Sequence, residues 1–329
     1  MRGVGTEIIE VVARDWGELA ARRLSPDWLG RIWDIHAEQV TLIGDPFEGE
    51  VVRLIAPSGN ATPFDVVLEP GEWATACSRL ERWTYVWRVG SQLWIGDSLT
   101  VELPNALPYP TTLKWGELPL DEITLHRRLM WLSDFVLARA PEATFAGLLP
   151  ELLATGESSK RPDLAPRERL VRWRVGRGLS ALVPALTRGD LATAERAANW
   201  LAGLGPGIPS AGDRFLVGFL AGVRLWPQFL EPTGLIQETV LTRLTRTAAE
   251  RTDLVGGSLL RDGIEHHYGA PWHELARVLQ DKNACSDERR QALEAVAQAW
   301  LAQPRILGSS GLAGLLLPFL WHQRRSDQA

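Results

Sequence analysis

Apolar residues in the first third of the chain recur in short runs that are typical of β-strands. The runs fall at residues 30–43, 50–55, 64–68, 83–89 and 92–103. Turn-forming residues separate them, as at Gly44, Asp45 and Pro46. Many short strands at this spacing predict a small β-barrel or β-sandwich.

The stretch from Thr6 to Arg23 has a different pattern. Its apolar positions recur at three- and four-residue spacing: Ile8, Ile9, Val12, Trp16 and Leu19. This spacing predicts an amphipathic helix at the start of the chain. Acidic residues interrupt the stretch, so it does not resemble a signal peptide.

After residue 118 the apolar positions follow a helical period almost to the end of the chain. We expect helices near 121–140, 142–154, 166–187, 190–203, 212–226, 232–250, 258–268, 271–281, 286–302 and 312–321. The proline-rich stretch Pro104–Pro110 precedes this change and is expected to be an extended linker. The fold class predicted is α+β. Residues 1–118 form a β-rich domain with an N-terminal helix, and residues 119–329 form an all-helical domain.

Three segments rich in glycine and serine each come just before a predicted apolar helix. They are Gly203–Asp213, Gly256–Ser258 and Gly308–Gly311. A helix start offers backbone N–H groups and the positive end of a dipole, which together bind anions. Because the three segments share this form, we expect them to meet around one small ligand. The alternative is that they are separate helix caps, with Asp213 as a plain N-cap.

These segments supply the predicted ligand-binding residues. Backbone N–H groups and hydroxyls suit a phosphate, a carboxylate or an oxyanion formed during acyl transfer. An arginine at the start of the helix could clamp a carboxylate. The set is Gly205, Gly207, Ser210, Gly212, Asp213, Arg214, Ser258, Ser309 and Ser310. The sequence assigns no catalytic residue.

The first segment resembles a known family signature. Gly203–Leu220 is similar to the glycine-rich motif of the AllH-type subunit family of oxamate carbamoyltransferase. The matching positions are Gly203, Leu204, Gly205, Pro206, Gly207, Gly212, Asp213, Phe215, Leu216 and Gly218. Arg246–Gly263 and Leu307–Gly311 resemble two further segments of that family. The resemblance implies a carbamoyltransferase-like subunit that moves a carbamoyl group between an oxamate-type acceptor and phosphate, together with companion subunits.

Several positions depart from the family's pattern, among them Pro209–Ala211 in the first segment and Leu307–Gly308 in the third. Two of the departures remove a carboxylate. Arg214 stands where the second aspartate of a pair is usual, and Ala313 stands where the third segment usually has an aspartate. The alternative function is therefore a non-catalytic, divergent member that binds a small metabolite or a partner chain.

Composition narrows the classes of partner. With 35 Lys+Arg against 40 Asp+Glu, the net charge of −5 gives no overall attraction for nucleic acid or an anionic membrane. The apolar run Leu312–Trp321 is well short of the ~20 residues that span a bilayer. Cys77 and Cys285 form neither a disulfide framework nor a zinc motif. We expect a cytoplasmic protein without metal or cofactor. Its expected partners are a small anionic metabolite and either companion subunits or copies of itself.

Two further features could contact a ligand. The chain has 15 tryptophans; most are expected in the core, and one or two could stack on a ligand. Arg167–Arg177 is a locally basic helix, expected to be a solvated or salt-bridged face, with contact to an acidic partner or substrate as the alternative.

Overall fold

A computed structural model describes residues 8–57, 61–71, 73–103, 107–141, 144–155, 166–281, 286–303 and 307–328. The chain divides into two compact units. The first comprises Met1–Thr112 and His267–Pro271, and the second comprises Leu113–His266 and Trp272–Ala329. The predicted boundary at residue 118 lies close to Thr112, but the sequence pattern gave no sign of the short second segment of the first unit.

The first unit contains an eight-stranded closed barrel with the order β1-β5-β4-β3-β2-β6-β7-β8. The strands are β1 Ile9–Trp16, β2 Leu29–His36, β3 Gln39–Gly44, β4 Val51–Ile55, β5 Asp65–Leu68, β6 Tyr85–Val89, β7 Gln92–Ile95 and β8 Leu99–Glu102. Parallel pairing of β1 with β8 closes the sheet. The barrel prediction is therefore confirmed and the sandwich alternative is wrong.

The opening amphipathic helix is wrong for most of its length. Residues 9–16 form β1, and only Glu18–Arg23 is helical, as α1. Ile9, Val11 and Ala13 point into the barrel, whereas Ile8 and Val12 are exposed. A run of β-branched residues favours a strand, and a period of two buries one face of it. The apolar residues of this stretch lie on both faces of the strand, and their combined spacing matches that of a helix only by coincidence.

A buried ion pair accompanies the parallel pairing of β4 with β5. Arg53 lies opposite Asp65 in the register, and two N–H groups of the guanidinium donate to the carboxylate at 2.8 and 2.6 Å. Thr62 donates to the same carboxylate through its backbone N–H and its hydroxyl. A buried charge pair is tolerated when its hydrogen bonds are satisfied in this way.

His267–Pro271 completes the first unit from far along the chain. The Tyr268 N–H donates to the Thr111 carbonyl at 2.8 Å, and His267 Nδ1 lies 2.9 Å from the Thr111 hydroxyl. A Cβ atom on Gly269 would lie 1.9 Å from the Ala61 carbonyl oxygen, so only glycine fits there. Tyr268 is fully buried.

The second unit is helical, as predicted. After the short helix α2 of the first unit (Trp73–Cys77), the helices are α3 Glu122–Arg139, α4 Phe145–Thr155, α5 Pro166–Thr187, α6 Leu191–Leu201, α7 Ala211–Leu225, α8 Gln237–Ala249, α9 Leu254–Ile264, α10 Ala270–Gln280, α11 Ser286–Leu301 and α12 Leu307–Gln328. Among the described residues, no helix combines the length and apolarity needed to cross a membrane.

Helix α7 is buried along nearly its whole length and crosses α12 at very short range. A Cβ atom on Gly218 would lie 2.0 Å from the Gly311 carbonyl oxygen, and one on Gly314 would lie 2.0 Å from the Phe215 carbonyl oxygen. The two backbones approach this closely because neither helix has a side chain at these positions. This contact fixes α7, and with it the loop that leads into α7.

Candidate functional site

The loop between α6 and α7 contains the strongest sequence motif. It runs from the end of α6 at Leu201 to the start of α7 at Ala211. Gly203, Gly205 and Gly207 have φ angles of 69°, 89° and 98°. This left-handed region disfavours other residues, so the three glycines are needed to fold the loop tightly.

Asp213, in the first turn of α7, holds the loop in place through hydrogen bonds. Its carboxylate accepts from the Gly203 N–H at 2.9 Å, from the Ser210 N–H and hydroxyl at 3.1 and 2.7 Å, and from the Thr252 hydroxyl at 2.8 Å. The Ser210 hydroxyl accepts from the Asp213 N–H at 3.1 Å, which completes a capping box at the start of α7. The side chain is fully buried, and this burial raises the pKa of Asp213 above its ordinary value.

The N–H groups at the start of α7 are already bonded within the loop. The Ala211 N–H donates to the Pro206 carbonyl, Gly212 to Leu204, and Arg214 to the Ser210 carbonyl. Together with Asp213, these are the first four residues of the helix, whose N–H groups would otherwise be available to an anion. The start of α7 is therefore a buried cap whose N–H groups are already hydrogen-bonded within the protein.

The second motif lies inside α9, not before it. Asp253 is the N-cap, and Gly256–Ser258 form part of the first turns. A Cβ atom on Gly256 would lie 2.3 Å from the Asp213 carboxylate, so this glycine allows α9 to pack against the capping box. Ser258 is 1 % exposed and its hydroxyl faces Asp262 at 3.5 Å.

The third motif also lies inside a helix. Gly308–Gly311 belong to α12, which begins at Leu307. A Cβ atom on Gly308 would lie 2.1 Å from the Trp300 carbonyl oxygen, and Gly311 packs on α7. Ser309 and Ser310 are 1 % and 0 % exposed. The expectation of glycine-rich loops before these two helices is therefore wrong; their small residues allow close helix packing.

The predicted ligand residues thus fall into three groups. Ser210 and Asp213 meet in the buried capping box, beside Gly212 and the half-buried Arg214. Gly205 and Gly207 shape the loop. Ser258, Ser309 and Ser310 are buried within helices. The first two motifs do meet, but the group that they surround is the carboxylate of Asp213.

An open groove lies beside the start of the same loop. It has a volume of about 360 Å³ and is lined by residues of α5, of α6 and of the first turn of the loop: Trp173, Arg174, Arg177, Asn199, Trp200, Ala202, Gly203 and Leu204. None of the nine predicted ligand residues lines it. Trp173 and Trp200 are 55 % and 40 % exposed.

Arg177 is held by both indoles. Its guanidinium carbon lies 5.4 Å from the Trp173 ring centroid and 4.5 Å from that of Trp200. Stacking engages the face of a guanidinium and leaves its edge of N–H donors available for an anion. Among the described residues, neither Arg177 nor Arg174, one helical turn away, forms an ion pair.

Asn199 adds an acceptor to the groove. Its Oδ1 atom is buried and has no hydrogen-bond partner among the described residues. An unpaired buried acceptor costs ~1–3 kcal/mol, which a ligand N–H would recover. The groove therefore combines two cations and two flat apolar surfaces, and Asn199 in its wall carries a buried acceptor that is unpaired among the described residues.

The sequence contained only part of this site. Arginine and tryptophan in Arg167–Arg177 marked a basic helix, for which contact with an acidic substrate was the second alternative. Asn199 and Trp200 come from α6 and carry no signal of their own. Only the packing of α5 on α6 brings the two stretches together.

The described residues contain no cluster of three or more His, Cys, Asp or Glu side chains that could hold a metal ion. Comparisons with protein-family models, curated proteins and solved structures found no match. What the groove binds is therefore inferred from its own residues.

Proposed function

We propose that the chain binds a small anion in the groove between Trp173 and Trp200 and does not itself catalyse carbamoyl transfer. The observation that carries this proposal is Arg177, an exposed guanidinium that two indoles fix and that has no acidic partner among the residues described. A fixed guanidinium loses little conformational freedom when its N–H groups bind a carboxylate or phosphate. Arg174 adds a second positive charge.

The acceptor on Asn199 narrows the ligand class. A planar carboxylate that also carries an N–H donor would bond the arginines and, after a rotation of the Asn199 side chain that exposes its buried Oδ1 atom, that acceptor as well. Its flat face would lie against an indole. Oxamate has this combination. It is also the acceptor that the resemblance to the carbamoyltransferase family implies, so two separate lines of reasoning lead to the same probe.

The described residues that line the groove include no general acid or base. The described lining residues carry tryptophan, arginine, asparagine and aliphatic groups, none of which exchanges a proton near neutral pH. The acid of the glycine-rich motif, Asp213, is buried and bonded to four donors. These features favour the non-catalytic alternative over transfer by this chain alone.

Calorimetric titration with oxamate, oxalate and phosphate at constant ionic strength tests the binding. We expect Arg177→Met and Arg174→Met each to weaken all three anions roughly 10-fold, because a charge-assisted hydrogen bond contributes ~1.5–3 kcal/mol. Asn199→Ala should weaken oxamate but not oxalate, since the oxalate dianion offers neither an N–H nor an O–H donor. Arg290→Met is the matched control, because Arg290 is exposed and already paired with Glu294.

Two results would contradict the proposal. One is the absence of binding by any of the three anions at millimolar concentration. The other is binding that survives the Arg174→Met/Arg177→Met double variant but is lost in Arg214→Met, which would place the site at the glycine-rich loop. Separately, phosphate release from carbamoyl phosphate with oxamate, above the rate without protein, would show that the isolated chain is a transferase.

A further inference from the structure

The outer surface of the barrel carries a strip of exposed apolar side chains on β2, on β6 and in the turn just before β6. Their exposed fractions are 45 % for Leu29, 40 % for Trp33, 55 % for Trp83, 49 % for Tyr85 and 58 % for Val89. Beside them, Trp87 and Trp94 stack across β6 and β7 with centroids 6.4 Å apart. The barrel interior is filled by a separate set of side chains, so this strip is not part of the core.

Two backbone irregularities hold tryptophans on this strip. Trp33 stands at a β-bulge, where the register of β2 against β3 shifts between Ile32 and Asp34. Trp83 has a φ angle of 71°, in the left-handed region that bulky residues avoid. The two indoles meet edge to face, with centroids 5.3 Å apart. Bulges commonly redirect a side chain in this way.

Two arginines beside the strip are each paired with an aspartate, and Arg88 of β6 donates to the carbonyl oxygens of Leu24 and Gly90. Arg31 bonds Asp45 and the Tyr85 hydroxyl, each at 2.8 Å, and Arg82 bonds Asp34. A surface that binds single-stranded nucleic acid needs unpaired cations along its aromatic groups. A charge-balanced apolar strip is suited to a different partner, one that is itself charge-balanced and apolar.

We propose that this strip is the interface of a homodimer. In a two-fold dimer each surface meets its own copy, so a strip with net charge would repel itself, whereas one with paired charges does not.

The exposed parts of the five side chains amount to roughly 500 Å², if a full side chain exposes about 150–250 Å². A stable interface uses about 800 Å² per partner, of which more than half is apolar. The strip supplies that apolar centre, and Arg31–Asp45 and Arg82–Asp34 supply its polar rim.

Sedimentation velocity of the full chain from low to high micromolar concentration tests the proposal. We expect a dimer of the 36.5 kDa chain that dissociates on dilution and is little affected by salt. The Trp33→Thr/Trp83→Asn double variant should weaken the dimer at least 10-fold. Threonine suits a strand, and asparagine tolerates the left-handed conformation, so the fold should persist.

A matched control separates the strip from general apolar exposure. Ile123 lies in the second unit and is 80 % exposed, so Ile123→Gln removes an exposed apolar group elsewhere and should leave the dimer unchanged. Circular dichroism confirms that each variant is folded. A wild-type chain that stays monomeric throughout overturns the proposal, even if the strip binds an oligonucleotide or another protein. So does a dimer that the double variant leaves intact.

Discussion

Asp213 joins three stretches of chain through one carboxylate: the loop at Gly203, the start of α7 at Ser210, and Thr252 before α9. Asp213→Ala would remove the acceptor of the buried Ser210 donors and of the more exposed donors on Gly203 and Thr252. Each unsatisfied donor costs ~1–3 kcal/mol, so we expect a loss of roughly 3 kcal/mol or more in the free energy of unfolding. Urea unfolding followed by circular dichroism measures it.

The matched control for Asp213 is the neighbouring cap Asp253. Its side chain accepts from the Gly256 N–H at 2.7 Å, at the start of α9. Asp253→Ala removes an ordinary N-cap and should cost about 1 kcal/mol. Equal losses in the two variants would mean that Asp213 is no more than a second N-cap.

The glycine-rich loop and the groove differ in how much of each the sequence could predict. The spacing of Ser210 and Asp213 fits a capping box, and the alternative that treats the glycine-rich loop as a structural cap has the right kind of role. Its assignment of Asp213 as the N-cap is wrong, because Ser210 is the N-cap and Asp213 is the third residue of α7. The unpaired acceptor on Asn199 could not be predicted. This acceptor matters because it is buried where helices pack together and has no hydrogen-bond partner among the described residues. A local sequence pattern contains no information on either property.

At the scale of elements, glycine pairs set the distance between α7 and α12. Gly218→Ala would place a Cβ atom 2.0 Å from the Gly311 carbonyl oxygen, and backbone cannot yield as a side chain does. We expect this variant to lower the free energy of unfolding by about 1–3 kcal/mol, because overpacking forces the helices apart. Urea unfolding is the measurement.

Gly263→Ala is the matched control for this prediction. Gly263 is also helical, but its Cβ atom would meet only side-chain carbons at 3.4 Å or more. Alanine favours a helix over glycine by up to ~1 kcal/mol, so this variant should be neutral or stabilising. If Gly218→Ala proves equally harmless, the close approach of α7 and α12 is not a constraint.

Elements also show why sequence patterns fail at particular places. Helical periodicity identified the second unit, because long amphipathic helices repeat their pattern many times. It predicts starts of α9 and α12 that are too late. The glycine and serine residues near each start are typical of loops, but here they lie inside the helices, at tight contacts with neighbouring helices. In β1, eight residues were too few to distinguish a period of two from one of 3.6.

At the scale of the whole molecule, the first unit is discontinuous in sequence. A fragment of residues 1–118 contains every strand but lacks the Tyr268 N–H that bonds Thr111 and the glycine that packs on Ala61. We expect this fragment to unfold with low cooperativity. Attaching residues 267–271 through a flexible glycine–serine linker should restore a sharp thermal transition in near-ultraviolet circular dichroism. Equal cooperativity with and without the attached segment would show that the barrel is complete without it.

The discontinuity also imposes an order of events during protein synthesis. All eight strands leave the ribosome early, but His267–Pro271 follow only after α3 to α9 have been made. At about 5–20 residues per second, the interval is on the order of ten seconds or more. Throughout it the nascent barrel lacks its last segment and is open to chaperones and proteases. A premature stop codon before position 267 would therefore damage the N-terminal barrel as well as the helices that it removes.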